Sequence, residues 1–270
     1  MLKSRIITAV ILLLLLLVVL FALPDGWWAA VVVLVVMQGT LEWSKLAKLQ
    51  VKGAYVYAGL TLAVMLTLIW FDANYSEADR LFTHLTIYAV SALLWLIIVP
   101  SWMIASWRVE SPILMAAVGW AVLIPTGLAM LDLRAVSPFV LLLLMGLVWV
   151  ADIGAYFSGR RFGKNKLAPS ISPGKTWEGV AGGMLAVTVY VLIVWYVFPF
   201  AVLPFILLAA WWWVGLAVIG DLFESAIKRQ AGVKDSGTLL PGHGGLLDRI
   251  DALTSTLPLA AMVILLGQFS

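Results

Sequence analysis

Two short stretches hold the side chains best placed to do chemistry. Residues 220–229 read GDLFESAIKR, in which Asp221, Glu224, Ser225 and Lys228 are spaced i, i+3, i+4 and i+7. On a helix this spacing puts two carboxylates, a hydroxyl and an ammonium on one face. Residues 247–251 read LDRID, where Asp248 and Asp251 are again i, i+3 neighbours and Arg249 lies on the adjacent face. Each stretch has a plain explanation: an exposed Glu224–Lys228 pair is worth little, and acids near a helix N-terminus are favoured by the dipole. Asp221, however, follows an unbroken apolar run, where an ionised carboxylate is costly unless a cation compensates it. Two such pairs facing each other would give the all-oxygen cage that a hard cation such as Mg²⁺ takes, with positions left for phosphates. Mg²⁺ bound to a nucleotide is the natural candidate.

The residues between these stretches, 230–247, contain five glycines and a proline. Glycine lets backbone N–H groups approach an anion closely, and Lys228, Arg229 and Lys234 add positive charge nearby. Physically this is a phosphate-binding turn, in which Gly244 and Gly245 could cradle the anion and His243 could either donate to it or satisfy the turn. An earlier loop, 151–179, carries Arg160, Arg161, Lys164, Lys166 and Lys175, with Asp152 and Glu178 at its edges. Its Gly-Lys-Thr is not a Walker loop, because Pro169 stands where that pattern needs glycine and the flanks are apolar helices. What remains is a basic loop in which Ser172, Lys175 and Thr176 could contact a triphosphate.

These residues must be held by elements that live in oil. The chain has 270 residues, 63% of them hydrophobic and only 11% charged, with a mean hydropathy of +1.06, outside the range of an ordinary soluble domain. Apolar runs near the roughly 20 residues needed to cross a bilayer recur along it. They predict an all-α, polytopic integral membrane protein with about nine spanning helices, near 6–23, 27–41, 53–71, 82–106, 111–131, 137–157, 179–200, 203–223 and 249–267. The first run is too long for a signal peptide's core and lacks a small-x-small cleavage site, so it is read as a retained helix. With the N-terminus inside, every Lys and Arg except Arg80 and Arg134 falls on the cytoplasmic side, which puts the C-terminus outside. This one-sided charge favours an anionic partner at the cytoplasmic surface of the membrane and gives no sign of a nucleic-acid partner. There is no cysteine, so thiolate nucleophiles and thiolate metal sites are excluded.

The division of labour is expected at residue 150. Residues 1–150 read as scaffold helices facing lipid, with Trp27, Trp28, Trp43 and Trp107 at predicted helix ends, where indoles favour the headgroup region. His84, with no acidic neighbour closer in sequence than Asp79, is given no role. Residues 151–270 hold both polar loops and should form the catalytic membrane region. Trp211-Trp212-Trp213 is expected to pack between helices rather than to line a groove for acyl chains.

From Ser225 to Asp251 the chain reads S-A-I-K-R-x4-K-D-x-G-x2-L-P-G-H-G-G-L-L-D-R-I-D, and from Ala151 to Gly179 it reads A-D-x2-A-Y-x2-G-x2-F-G-K-N-K-L-x-P-x-I-S-P-G-K-T-W-E-G. Both stretches resemble the phosphatidate cytidylyltransferase, or CDP-diacylglycerol synthase, family, and the resemblance covers the whole of 151–270. It implies that CTP and phosphatidic acid react to give CDP-diacylglycerol and pyrophosphate, with Mg²⁺, at the cytoplasmic face of the cell (inner) membrane. It further implies Asp221 and Asp248 as Mg²⁺ ligands, with Asp251 and Glu224 as supporting groups or ligands of a second, monovalent cation such as K⁺. Lys228 and Arg249, with Ser225, Arg229 and Lys234, would then meet phosphates. A homodimer would be unsurprising for such a family. Two rivals stand beside this reading: a CTP-dependent transferase acting on another lipid phosphate, and, from a different class, an ion-coupled transporter, which would place its ions near the bilayer midplane.

Overall fold

The computed structural model describes residues 2–198, 203–239 and 244–267, with side chains from Val10 onward. Nine helices run along these residues: α1 (Leu2–Ala22), α2 (Asp25–Leu46), α3 (Val51–Asn74), α4 (Glu77–Ala105), α5 (Pro112–Val136), α6 (Pro138–Phe162), α7 (Trp177–Val197), α8 (Leu203–Ala231) and α9 (Leu247–Gly267). Between α6 and α7 a small antiparallel hairpin pairs β1 (Lys166–Ala168) with β2 (Ser172–Thr176). Eight of the helices, α2 to α9, are long and apolar enough to cross a bilayer. The expectation of nine spans is therefore met by eight, because the apolar part of α1 whose side chains are described, Val10–Ala22, is shorter. The chain is a helical membrane protein.

Helix starts follow local chemistry. Ser111 and Ser137 cap α5 and α6, each accepting from a backbone N–H in the first turn, and each is followed by a proline whose missing donor costs nothing there. Ser76 caps α4 in the same way through the Asp79 N–H. Within α4, residues Leu94–Ile98 form a π turn directly before Pro100. The proline ring cannot donate to Leu96, and the widened turn absorbs the gap. The second span, read as a short run ending at 41, continues to Leu46 because Glu42, Ser44 and Lys45 stay helical.

Helix α9 is the most buried of the spans and packs on α8, α5 and α4. Ser255 donates to Leu216 O at 2.8 Å, and a Cβ added to Gly220 would come within 2.8 Å of Asp251 O, so α8 and α9 approach closely just where their acidic ends begin. Helices α6 and α7 meet through small residues. A side chain at Gly182 would overlap Ser158 Oγ, and one at Gly183 would stand 3.0 Å from Ala151 O. Such seams are how membrane helices gain dispersion contacts when lipid is as apolar as the partner. Large apolar side chains such as Leu185, Phe205 and Leu208 remain exposed, as lipid-facing groups should.

Polar side chains gather at two opposite ends of the bundle. At one end, His84 lies 2.9 Å from both Asp72 and Asp132, and Tyr88 donates to Asp132 at 2.6 Å. The acidic neighbours that the sequence around His84 did not reveal come from α3 and α5, and the cluster ties three helices together. The other end brings together the C-termini of α2, α4 and α8 with the N-terminus of α9.

Candidate functional site

The site is built on the helical spacing of α8 and α9. Asp221, Glu224, Ser225 and Lys228 share a face of α8, as expected, and Lys228 crosses to α9: its Nζ is 2.5 Å from Asp248 Oδ1 and 3.4 Å from Glu224 Oε1. The other oxygen of Asp248 accepts from the Ser236 N–H at 2.9 Å, the Ser236 hydroxyl at 3.0 Å and the Gly245 N–H at 2.8 Å. Asp248 is thus the point onto which the glycine-rich connector folds. A side chain at Gly245 would overlap Ser236 Oγ and Glu42 Oε2, so that position has no room for one, and Gly244 has φ +83°, a conformation that favours glycine. The Gly245 N–H, expected to cradle an anion, is occupied by Asp248. His243 lies outside the described residues.

Two acids that were not singled out as site residues belong here. Glu42, on α2, is 1% exposed and accepts from the Leu246 and Leu247 N–H groups, both at 2.9 Å, from the Ser236 hydroxyl at 3.0 Å and from Gln38 at 2.9 Å. It satisfies orphan donors at the start of α9 and places a negative charge at the positive end of that helix. The signal available beforehand was a lone carboxylate inside an apolar helix. Residues 1–150 thus contribute a carboxylate to this end of the bundle. Asp152, on α6, interacts electrostatically with Asp221, Lys175 and Arg249. It had been read only as the edge of a loop, yet the α6–α7 seam carries it into the acidic group.

The hairpin between α6 and α7 supplies the third wall. Lys175 Nζ pairs with Asp221 Oδ2 at 2.6 Å, and Ser225 donates to Asp221 Oδ1 at 3.3 Å. Thr176, expected at a triphosphate, is buried and caps α7 by accepting from the Gly179 N–H at 3.1 Å. Glu178 closes the base of the hairpin by accepting from Asn165. Ser172 is half-buried on β2, Lys234 is exposed, and Arg229 donates to Ile171 O and Val233 O. Trp213 lines an apolar groove with Leu147, Tyr190 and Val263, and Trp211, although exposed, donates to Thr188 on α7 at 2.9 Å, whereas Trp212 is exposed, so two of the three engage a neighbouring helix.

Among the described residues, no three His, Asp or Glu side chains are gathered closely enough to form a ready metal cage. The donor chemistry nevertheless fits a hard cation. Asp221, Glu224, Asp248 and Asp251 offer only oxygens; both oxygens of the buried Glu224 lack a hydrogen bond; and two of the carboxylates are each held by a lysine ammonium. Positive charge is what this cluster of acids requires, and lysines supply it as folded.

A bundle of membrane helices with paired acids and cations at one end defines a membrane enzyme of phosphate chemistry more closely than a transporter, whose ions would sit at mid-depth. The chain belongs to the cytidylyltransferase family, whose profile matches residues 3–266. It is 37% identical to a phosphatidate cytidylyltransferase of Haemophilus influenzae, covering 96% of each chain. It is 39% identical to the protein of the same name from Pseudomonas aeruginosa, covering 98% of this chain and 97% of that one. A Brucella suis protein of that name is 43% identical over 53% of each chain.

Proposed function

We propose that the protein transfers the cytidylyl group of CTP to phosphatidate, giving CDP-diacylglycerol and pyrophosphate. The observation that carries this reading is the stack of lysine–carboxylate pairs where α8 meets α9, in a chain similar over nearly its full length to proteins named for that reaction. A phosphatidate oxygen forms a bond to the α-phosphorus of CTP, and the bond from that phosphorus to the bridging oxygen breaks. The nucleophile is already anionic, so neither a general base nor an enzyme nucleophile is needed. Catalysis reduces to aligning two mutually repelling phosphates and neutralising the charge that develops on the leaving group. Lys175 and Lys228, now paired with acids, are the cations nearest to that task, with Arg249, Arg229 and Lys234 further out.

Mg²⁺ is the cofactor this reading requires, held by Asp221 and Asp248 with Asp251 and Glu224 in support, and a monovalent ion such as K⁺ as a second occupant. Bound there, it would neutralise phosphate charge as a Lewis acid. Asp152 joins the supporting acids. In this reading α1 completes nine spans, the N-terminus and the site face the cytoplasm across the inner membrane, the C-terminus lies outside, and 151–270 is the catalytic region on a scaffold that lends it Glu42. A homodimer is compatible with the arrangement. The test is conversion of labelled CTP by the purified protein with phosphatidate, with and without Mg²⁺, beside Asp248→Asn. The expected result is Mg²⁺-dependent CDP-diacylglycerol, falling on the order of 10²-fold or more in the folded variant. Absence of product from folded wild type with phosphatidate, but product with another lipid phosphate, would reassign the acceptor.

A further inference from the structure

A charged cavity, of about 620 Å³, opens at the same end of the bundle, on the adjacent face of α8. Three cations line it, Lys48 from the end of α2, Arg108 from the α4–α5 loop and Arg229 from α8, against a single acid, Glu110. Its other wall is apolar, with Trp102 and Trp107 facing the same space. None of the residues expected to bind phosphate, Arg229 apart, had pointed to this place. The loop that carries Arg108 is fastened to α8 by Gln230, whose side chain both donates to Val109 O and accepts from the Val109 N–H. The hairpin connects the cavity to the acids: Ile171, at its tip, lines the cavity and accepts from Arg229, while Lys175, four residues on, pairs with Asp221. At roughly 3.3 Å per residue that is about 13 Å of strand.

Two backbone outliers fall in this one place. Lys48 and Ser106, at φ 55° and 51°, are the non-glycine residues with positive φ among those described, and both line the cavity. Each ends a helix in the left-handed conformation that glycine adopts at least cost. Where a strained conformation is kept with a lysine instead of glycine, the side chain is the reason to look for a function.

Resting on the transferase reading, we infer that the cavity lined by Lys48, Arg108 and Arg229 captures the phosphate headgroup of the lipid substrate before it advances to the α8–α9 acids. Three cations against one carboxylate leave a lining charge of two, and a phosphate monoester carries roughly −1.5 to −2 near neutral pH. A phosphodiester lipid carries only one negative charge and would be held less well. The apolar wall suits the glycerol and first acyl carbons of an amphiphile at the membrane surface, which the nucleotide's ribose and triphosphate lack.

The test compares Lys48→Gly and Arg108→Gln with wild type in the CTP assay, varying each substrate separately, and uses Lys45→Gln as a control that removes a cation from the same end without touching the cavity. The expected result is a ten-fold or larger rise in KM for phosphatidate in both variants, with kcat and KM for CTP within two-fold. Lys48→Gly should keep or raise the thermal midpoint because it relieves the left-handed residue, a combination that a merely structural lysine would not give. A rise in KM for CTP instead, or no change in either KM, would overturn the lipid assignment while leaving the overall reaction standing. In parallel, binding of labelled short-chain phosphatidate to the protein in nanodiscs separates the two readings. Arg108-dependent binding, competed by unlabelled phosphatidate and not by CTP, would support the cavity even if the wild type transferred no cytidylyl group. Binding indifferent to Arg108 would overturn it.

Discussion

At the scale of single residues, the acids divide by what holds them. Asp248 and Glu42 accept backbone N–H groups and fix a loop, whereas Glu224 has no hydrogen-bond partner on either oxygen among the described residues and lies 3.4 Å from the Lys228 ammonium. Glu42 is the informative one to remove. Glu42→Gln keeps the shape but replaces one acceptor oxygen by a donor that faces N–H groups, and each buried donor left unsatisfied costs about 1–3 kcal/mol. The expected outcome is faster amide exchange at Leu246 and Leu247, whose N–H groups Glu42 accepts, with a lower thermal midpoint; unchanged exchange at these two amides would show that Glu42 does not hold the connector. Much of this site was legible beforehand, because i, i+3, i+4 spacing places side chains on a helix face whatever the tertiary context. Glu42 and Asp152 were not, since each is a lone acid in its own segment and acquires meaning only from helices distant in sequence.

At the scale of elements, the α6–α7 seam sets where the hairpin and Asp152 stand. Gly182 faces Ser158 Oγ and lies near Gly154 O, so there is backbone as well as side chain in the way of any substituent. Gly182→Leu should cost roughly 1–3 kcal/mol or more through overpacking, seen as a lower midpoint in thermal unfolding. Activity should fall with it, because Lys175 enters the site from the strand that this seam supports; a stable and fully active Gly182→Leu would remove the seam from the argument. The hairpin itself was hidden in the sequence. Its strands cover only Lys166–Ala168 and Ser172–Thr176, and Ser-Pro-Gly-Lys-Thr shows none of the apolar alternation that marks a strand. The helix starts were easier to read where Ser-Pro pairs cap α5 and α6, and the ends harder on α2 and α6, where polar residues continue each helix past its apolar part to Leu46 and Phe162.

At the scale of the whole molecule, charge is sorted to opposite ends: the α8–α9 acids and their cations at one, the His84–Asp72–Asp132 cluster at the other. The absence of cysteine makes the orientation directly measurable. A single cysteine in place of Glu110 should react with a membrane-impermeant thiol reagent only from the cytoplasmic side of sealed vesicles, and one in place of Glu77 only from the opposite side; the reverse pattern would invert the proposed topology. The sequence by itself determined the membrane class, the helical architecture, the face of α8 that gathers Asp221, Glu224, Ser225 and Lys228, and the family, because hydropathy, helical periodicity and motif spacing are local properties. Only the tertiary structure decided which distant residues complete the site. Glu42 meets the start of α9, Lys175 meets Asp221 through a hairpin, and Lys48, Arg108 and Arg229 line one cavity, because successive spans return the chain to the same end of the bundle and bring segments far apart in sequence together there.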